Sequence, residues 1–343
     1  MKSNHKYPGV CSKMGTGIAA LFIFSCETTT EKFEVSADHH VHLRSEEATD
    51  ALVEIQEAIG EQVIEGTYSS TTASDIIVRM DTAGVGKASL LSVAYFFGMP
   101  EVDFESEQEK VRNENQYTAL QASEYPDRLV AFCSFNPLSE YSIEELTYCG
   151  DSGDFTGVKL HLANSDVDLR DEGHQQKLSE IFETANEYGL AIVIHLWTRN
   201  PDYGYEDAEL FITEIIPSAP EVTIQIAHLG GPSGYTDATD GASGAFLDAF
   251  EAHHEGFTNV YFDLAEVMIH PNRADGNEEL ENMIQESNNN AEKRIEQLGV
   301  HRVLIASDWI ADTSDEYRKS MRDLPLSDEL IHELRENTAP YFD

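Results

Sequence analysis

From Val35 to the end of the chain, short apolar runs alternate with longer stretches in which apolar residues recur every three or four positions. The runs fall at 35–43, 87–93, 129–135, 156–162, 191–196, 223–227, 259–264 and 302–307, and their composition marks them as strands. The stretches between them, QQKLSEIFETANEYG and GAFLDAFEAHH among them, present one apolar face each and predict helices. Strands alternating with helices imply a parallel sheet. Eight such units in a domain of about 300 residues predict an α/β fold of the (β/α)8 TIM-barrel type, better than an open sheet. No second domain and no internal repeat is visible. The longest insertions, 44–74 and 96–113, follow the first and second strands and are expected at the barrel mouth, where such loops form caps and pockets. The last stretch, LSDELIHELRENTAPYF, predicts a closing helix with Ser327 as its N-cap.

The strand ends carry the chemistry. In ADHHVHL, Asp38, His40 and His42 occupy alternate positions, so a strand sends all three side chains to one face. A core would leave these polar groups in need of partners, whereas one divalent metal satisfies both histidines together. His195 ends AIVIH, His228 ends VTIQIAH and Asp308 ends VLIASD, so three more strands deliver a metal-competent or acid/base residue at the carboxyl end. That end is where parallel α/β barrels place catalysis. Asp38 has two readings, a metal-facing group or a group that supports a ligand. In TGVKLHL, Lys159 and His161 share a face opposite Val158 and Leu160 and are expected to point into the mouth. His39 is expected to point away from His40 as a packing residue. Arg44 and Arg199 either bind a substrate carboxylate or form surface salt bridges. His253, His254, His270, His301 and His332 read as solvated or core histidines.

Composition narrows the partners. The 343 residues include 63 acidic and 22 basic side chains, a net charge of -41, which repels nucleic acid and anionic lipid and sets nucleic-acid binding aside. The acidity reads either as a solvated, halophile-like surface or as attraction for cations. Lys2, Lys6 and Lys13 precede the uncharged GTGIAALFIFSC, which is too short to be a permanent span and has the look of an export signal. It resembles a bacterial lipoprotein signal in which Ile23, Phe24, Ser25 and Cys26 form the lipobox and Cys26 carries the lipid. The expected organisation is a signal peptide over 1–26, a spacer over 27–34 and the barrel over 35–343. The product would be exported, periplasmic or membrane-anchored, touching the membrane only through its lipid. Cleavage without lipidation and an unprocessed cytoplasmic tail are the alternatives. Cys11 lies in the signal, while Cys133 and Cys149 in the body either pair in an oxidising compartment or stay free.

The set DHHVHL, GVKLH, VIH, IAHLGG and IASDW, closed by LSDELIHELRENTAPYF, resembles the amidohydrolase superfamily from Ser36 to Phe342. The branch it resembles is the amidohydrolase-related one that includes aminocarboxymuconate semialdehyde decarboxylase. The resemblance implies a divalent metal, most often zinc, bound by His40, His42, His195 and Asp308, with His228 beside it as catalytic acid/base. Asp308 would also exchange a proton with water bound at the metal. Binuclear relatives use a carboxylated lysine on the fourth strand, which would make Lys159 a bridge to a second metal; a structural or substrate-binding lysine is the other reading. Trp197, with Arg199, follows the fifth strand and is a candidate for substrate contact. The expected activity is a metal-dependent hydrolase acting on an amide, ester or lactone, with small molecules as substrates. Nonoxidative decarboxylation of an aromatic or unsaturated carboxylic acid is the alternative, and a non-catalytic ligand-binding lipoprotein is a second one. A homodimer is a common outcome for such barrels.

Overall fold

The structure is a computed structural model that describes residues 34–64, 67–252, 257–309 and 314–342. The expected signal, Cys11 and Cys26, with His253 and His254, lie outside the described residues. Eight parallel strands follow one another in sequence order: β1 Val35–His42, β2 Val85–Leu91, β3 Leu129–Ser134, β4 Gly157–His161, β5 Ala191–His195, β6 Ile224–Ile226, β7 Val260–Asp263 and β8 Val303–Leu304. Each lies inside or within two residues of an expected run. The helices are α1 Glu46–Ala58, α2 Ala73–Ala83, α3 Glu107–Ser123, α4 Ser142–Ser152, α5 Glu172–Tyr188, α6 Tyr205–Leu210, α7 Asp237–Glu251, α8 Glu278–Leu298, α9 Ser314–Met321 and α10 Asp328–Leu334. This is the predicted (β/α)8 barrel. No helix among the described residues is long and apolar enough to cross a membrane.

The inter-strand ladder is regular from β1 to β8, and the last seam is made by single bonds. β8 is two residues long because the Ile305 carbonyl accepts both the His39 backbone N–H (3.2 Å) and His39 Nδ1 (2.9 Å). The His42 N–H then reaches the Trp309 carbonyl at 2.9 Å, across a bulge in β1 between Asp38 and Val41. These bonds carry the chain from β8 to Asp308 at the mouth.

The two expected insertions are not free loops. Ser45 caps α1 by accepting from the Ala48 N–H, so 46–58 is helical, and the second insertion contains the start of α3. Ser327 stands at the N-cap of α10 without a side-chain capping bond. Most of the core lies between strands and outer helices, and a smaller cluster of Leu91, Phe132, Ala191 and Val193 fills the barrel, with Tyr341 packed against it. Cys133 on β3 and Cys149 on α4 form a disulfide.

Candidate metal centre and its surroundings

His40 and His42 leave β1 toward the barrel mouth, and the bulge between Asp38 and Val41 brings their rings to 4.9 Å. Their Nε2 atoms stand 3.1 Å apart, and Asp308 Oδ1 lies 3.1 Å from the first and 3.5 Å from the second. The outer nitrogens fix the proton positions. His42 Nδ1 donates to the Leu91 carbonyl (3.0 Å), and His40 Nδ1 donates to Asp263 Oδ2 (3.0 Å). Each Nε2 therefore turns a lone pair inward, and no proton is left to bridge the two. Burial, with Lys159 adding to it, pushes His40 down to about 3, so its ring stays neutral. Two lone pairs and a carboxylate facing one another need a cation between them. This donor set suits a divalent transition metal.

The other expected residues group around this trio. His195 comes to its edge, stacked on His161 (ring centroids 4.0 Å, interplanar angle 12°) and 4.6 Å from the His228 ring. Its Nε2 is buried without a hydrogen-bond partner, an opening that a fourth ligand bond would fill. His228 has a left-handed backbone (φ 56°), which is costly for a residue with a β-carbon. Two bonds hold it there: its N–H donates to Asp263 Oδ1 (2.9 Å), and Nδ1 donates to the Ala265 carbonyl (2.6 Å). His228 Nε2 is thereby left as its acid/base atom. Asp308 is likewise left-handed (φ 55°) and keeps 22% side-chain exposure, the trio's opening toward solvent.

Lys159 is buried, with Nζ 3.2 Å from His40 Nε2. Burial pulls its ammonium down to about 8, against the attraction of Asp263 and Asp308. His161 accepts the Asn164 N–H at Nδ1 (3.2 Å), so its proton sits on Nε2 and it serves as a donor, not a ligand. Asp38 stays out of the trio. It accepts from Ser307 Oγ (2.6 Å) and the Ser307 N–H (3.0 Å), tying β1 to the chain beyond β8, and burial pushes its carboxyl up to about 7 against those bonds. His39 packs against Phe342, with Nδ1 donating to Ile305 and Nε2 accepting the Ala339 N–H at 3.1 Å.

The two arginines part company. Arg199 is on the surface, ion-paired with Glu101 at 2.5 Å. Arg44, two residues beyond His42, is 1% exposed and lies 5.7 Å over the Tyr68 ring, yet its Nε and Nη2 meet no acceptor. Burial lowers its pKa from the usual value, and Tyr68, Tyr95 and Glu114 lie within electrostatic range. Tyr95 also feels Asp308 and lies 5.1 Å from the His161 ring, so it stands between the guanidinium and the trio. Trp197 meets the His195 ring edge-on at 6.3 Å.

Asp263 is the residue that the strand-end pattern offered and that was not singled out. It ends VYFD as the others end their runs, and it accepts from His40, His228, Ala265 and Gln225 together. Burial works to raise its pKa, but the charge and hydrogen bond of His40 outweigh it and hold the carboxyl ionised.

A model of the amidohydrolase family matches residues 90–339. The match begins after β1, so the convergence of His40 and His42 with Asp308 is a separate, geometric observation. None of the curated proteins matches the sequence. Among solved structures, the chain is similar to the 5-carboxyvanillate decarboxylase of Sphingomonas paucimobilis, with 16% identity and a TM-score of 0.59 over 88% of this chain and 97% of that one. It is also similar to the 5-carboxyvanillate decarboxylase of Novosphingobium aromaticivorans, solved with manganese and 4-hydroxy-3-methoxy-5-nitrobenzoic acid, with 17% identity and a TM-score of 0.57 over 91% and 97%. A third is a dihydroxybenzoic acid decarboxylase from Polaromonas, solved with manganese and 2-nitroresorcinol, with 15% identity and a TM-score of 0.51 over 87% and 94%. At these identities the likeness establishes a shared fold.

Proposed function

We propose, from the premise that this chain belongs to the amidohydrolase family, that it catalyses nonoxidative decarboxylation of a small aromatic or unsaturated carboxylic acid with one divalent metal ion. The observation that carries this reading is Arg44, a buried guanidinium with two donors open beside the metal-competent trio's strand. A buried cation is stable only with a partner, and a planar carboxylate answers the Nε and Nη2 pair bidentately. A neutral amide, ester or lactone offers it no anion. The decarboxylases of similar fold act on hydroxybenzoic acids by name, which supports the same choice.

A metal held by His40, His42 and Asp308, with His195 at the edge, would supply Lewis-acid polarisation and orient the substrate's oxygens. Manganese is the ion named for two similar structures, and zinc is the expectation from the resemblance. Arg44 fixes the substrate carboxylate. Tyr95, His161 and Trp197 offer ring faces and edges that suit a planar substrate and exclude water. The carbon–carbon bond to the carboxylate breaks, its electron pair stays on the substrate carbon, and carbon dioxide leaves. His228 Nε2 is placed to deliver the proton that this carbon takes up, because its other nitrogen is held by Ala265. The Cys133–Cys149 disulfide supports an oxidising compartment, in keeping with the export proposed from the amino-terminal segment.

The test is carbon dioxide release from a panel of hydroxybenzoates and unsaturated dicarboxylates by the manganese-loaded protein. Release is expected, and Arg44→Met should lower kcat/KM by about 100-fold, the loss of about 3 kcal/mol for two charged hydrogen bonds. Ester or lactone hydrolysis without any carbon dioxide release would return the site to a hydrolase.

A further inference from the structure

The closing motif ENTAPYF has no part in the chemistry above, yet the structure carries it beneath the barrel and up to the metal centre. Asn337 Nδ2 donates to the Val300 and Val303 carbonyls at 2.7 and 2.8 Å, pinning the segment where β8 begins. The Ala339 N–H donates to His39 Nε2, and Lys87 Nζ donates to the Phe342 carbonyl at 2.7 Å. Tyr341 then enters the barrel interior, its ring edge-on to Phe132 at 5.1 Å.

From its hydroxyl a single directed chain of hydrogen bonds runs upward. Ser89 Oγ donates to Tyr341 Oη (3.2 Å), Tyr341 Oη donates to Gln225 Oε1 (2.6 Å), and Gln225 Nε2 donates to Asp263 Oδ2 (2.7 Å). Asp263 Oδ2 is the oxygen that receives His40 Nδ1, and its Oδ1 receives the His228 N–H. Gln225 Nε2 has a second acceptor in the His39 carbonyl at 3.1 Å, so both its protons are used on the side facing β1 and β7. Only the Tyr341 hydroxyl answers the other end of that amide.

We infer that the carboxyl-terminal segment is part of the metal centre's machinery: Tyr341 is a positioning residue that orients Gln225, and through Asp263 it sets the ring orientation of the ligand His40 and the backbone position of His228. Removing the hydroxyl leaves Gln225 Oε1 buried with no donor. The amide then has reason to turn, which would aim an oxygen at the Asp263 carboxylate. Ligand histidines depend on such outer partners for both basicity and aim. The inference rests on the reading of His40 as a metal ligand.

The test is a Co(II) titration of the metal-free full chain, followed by visible absorption, for the unaltered protein, Tyr341→Phe, and Phe132→Leu as a control that loosens the same packing while keeping the hydroxyl. Tyr341→Phe should weaken Co(II) binding by about 5- to 10-fold, the low end for an outer partner, and shift the ligand-field bands; Phe132→Leu should leave both unchanged. Should Tyr341→Phe fail to fold, Gln225→Met breaks the chain one link nearer Asp263 and should weaken binding at least as much. An unchanged affinity and spectrum in Tyr341→Phe, or equal changes in Phe132→Leu, would reduce the segment to a structural plug and overturn the inference. If the unaltered chain binds no Co(II), it is the metal-centre reading that fails.

Discussion

Each histidine at the centre has one nitrogen committed to a fixed partner, and that commitment decides what the other nitrogen does. His40 and His42 spend Nδ1 on Asp263 and the Leu91 carbonyl and keep Nε2 for a metal, whereas His39 spends both nitrogens on backbone. His39 is consequently neutral by construction: a proton on Nε2 would meet the Ala339 N–H head-on. Burial is the main cause that lowers its pKa to about 4 from 6.5. A depressed folded value means that the native state binds fewer protons than the unfolded chain between those limits. The contribution is present above pH 6.5 and is lost as pH falls toward 4, about 3 kcal/mol in all. Urea unfolding of the metal-free protein across this range should show that loss, and His39→Gln, which can donate to Ile305 and accept from Ala339 without titrating, should flatten it. Parallel pH profiles for the two proteins would sink the assignment. The strand-end residues were legible because a two-residue period fixes the face of a side chain from local sequence alone. The role of Arg44 was not, because it is decided by Tyr68, Tyr95 and Glu114, which only the fold brings near.

The elements were legible for the same local reason, since every expected apolar run contains a strand. Their ends were not. β8 stops at Leu304 because His39, on β1, captures the Ile305 carbonyl twice, and 266 residues separate the two partners. The left-handed turns at His228 and Asp308 are set the same way, by Asp263 for the first and by the β1 seam for the second. The cysteine pair also waited on the fold, since residues 16 apart are brought together only when α4 packs on β3. A bridge closing a loop of this length restricts the unfolded chain and contributes about 3 kcal/mol. Urea denaturation with and without a thiol reductant should separate by about that amount, and a digest made without reductant should yield the Cys133 and Cys149 peptides joined. Separate peptides carrying free thiols would remove both the bridge and its support for an oxidising compartment.

At the scale of the whole molecule the dominant quantity is charge. Twenty-two cations cannot neutralise 63 carboxylates, and several of the cations are tied to partners at the surface, such as Arg199 with Glu101 and Arg294 with Asp240. Some acidic residues are well placed: Glu278, Glu279 and Glu281 sit in the first turn of α8, where they complement the helix dipole. The remaining excess, a net charge of -41, repels itself in the folded state more than in the expanded one. Salt screens that repulsion, since the Debye length falls from about 10 Å at about 0.1 M to about 3 Å at about 1 M. The melting temperature is expected to climb with sodium chloride, most steeply below about 0.3 M where the screening length changes fastest, and equally with potassium chloride at the same ionic strength. A gain that appears only in molar sulfate would come from solute exclusion instead. A flat response would show that the acidic surface is already balanced by bound counterions. A rise at low salt would mean that the unpaired carboxylates act as one field, one that also draws the divalent cation toward His40, His42 and Asp308.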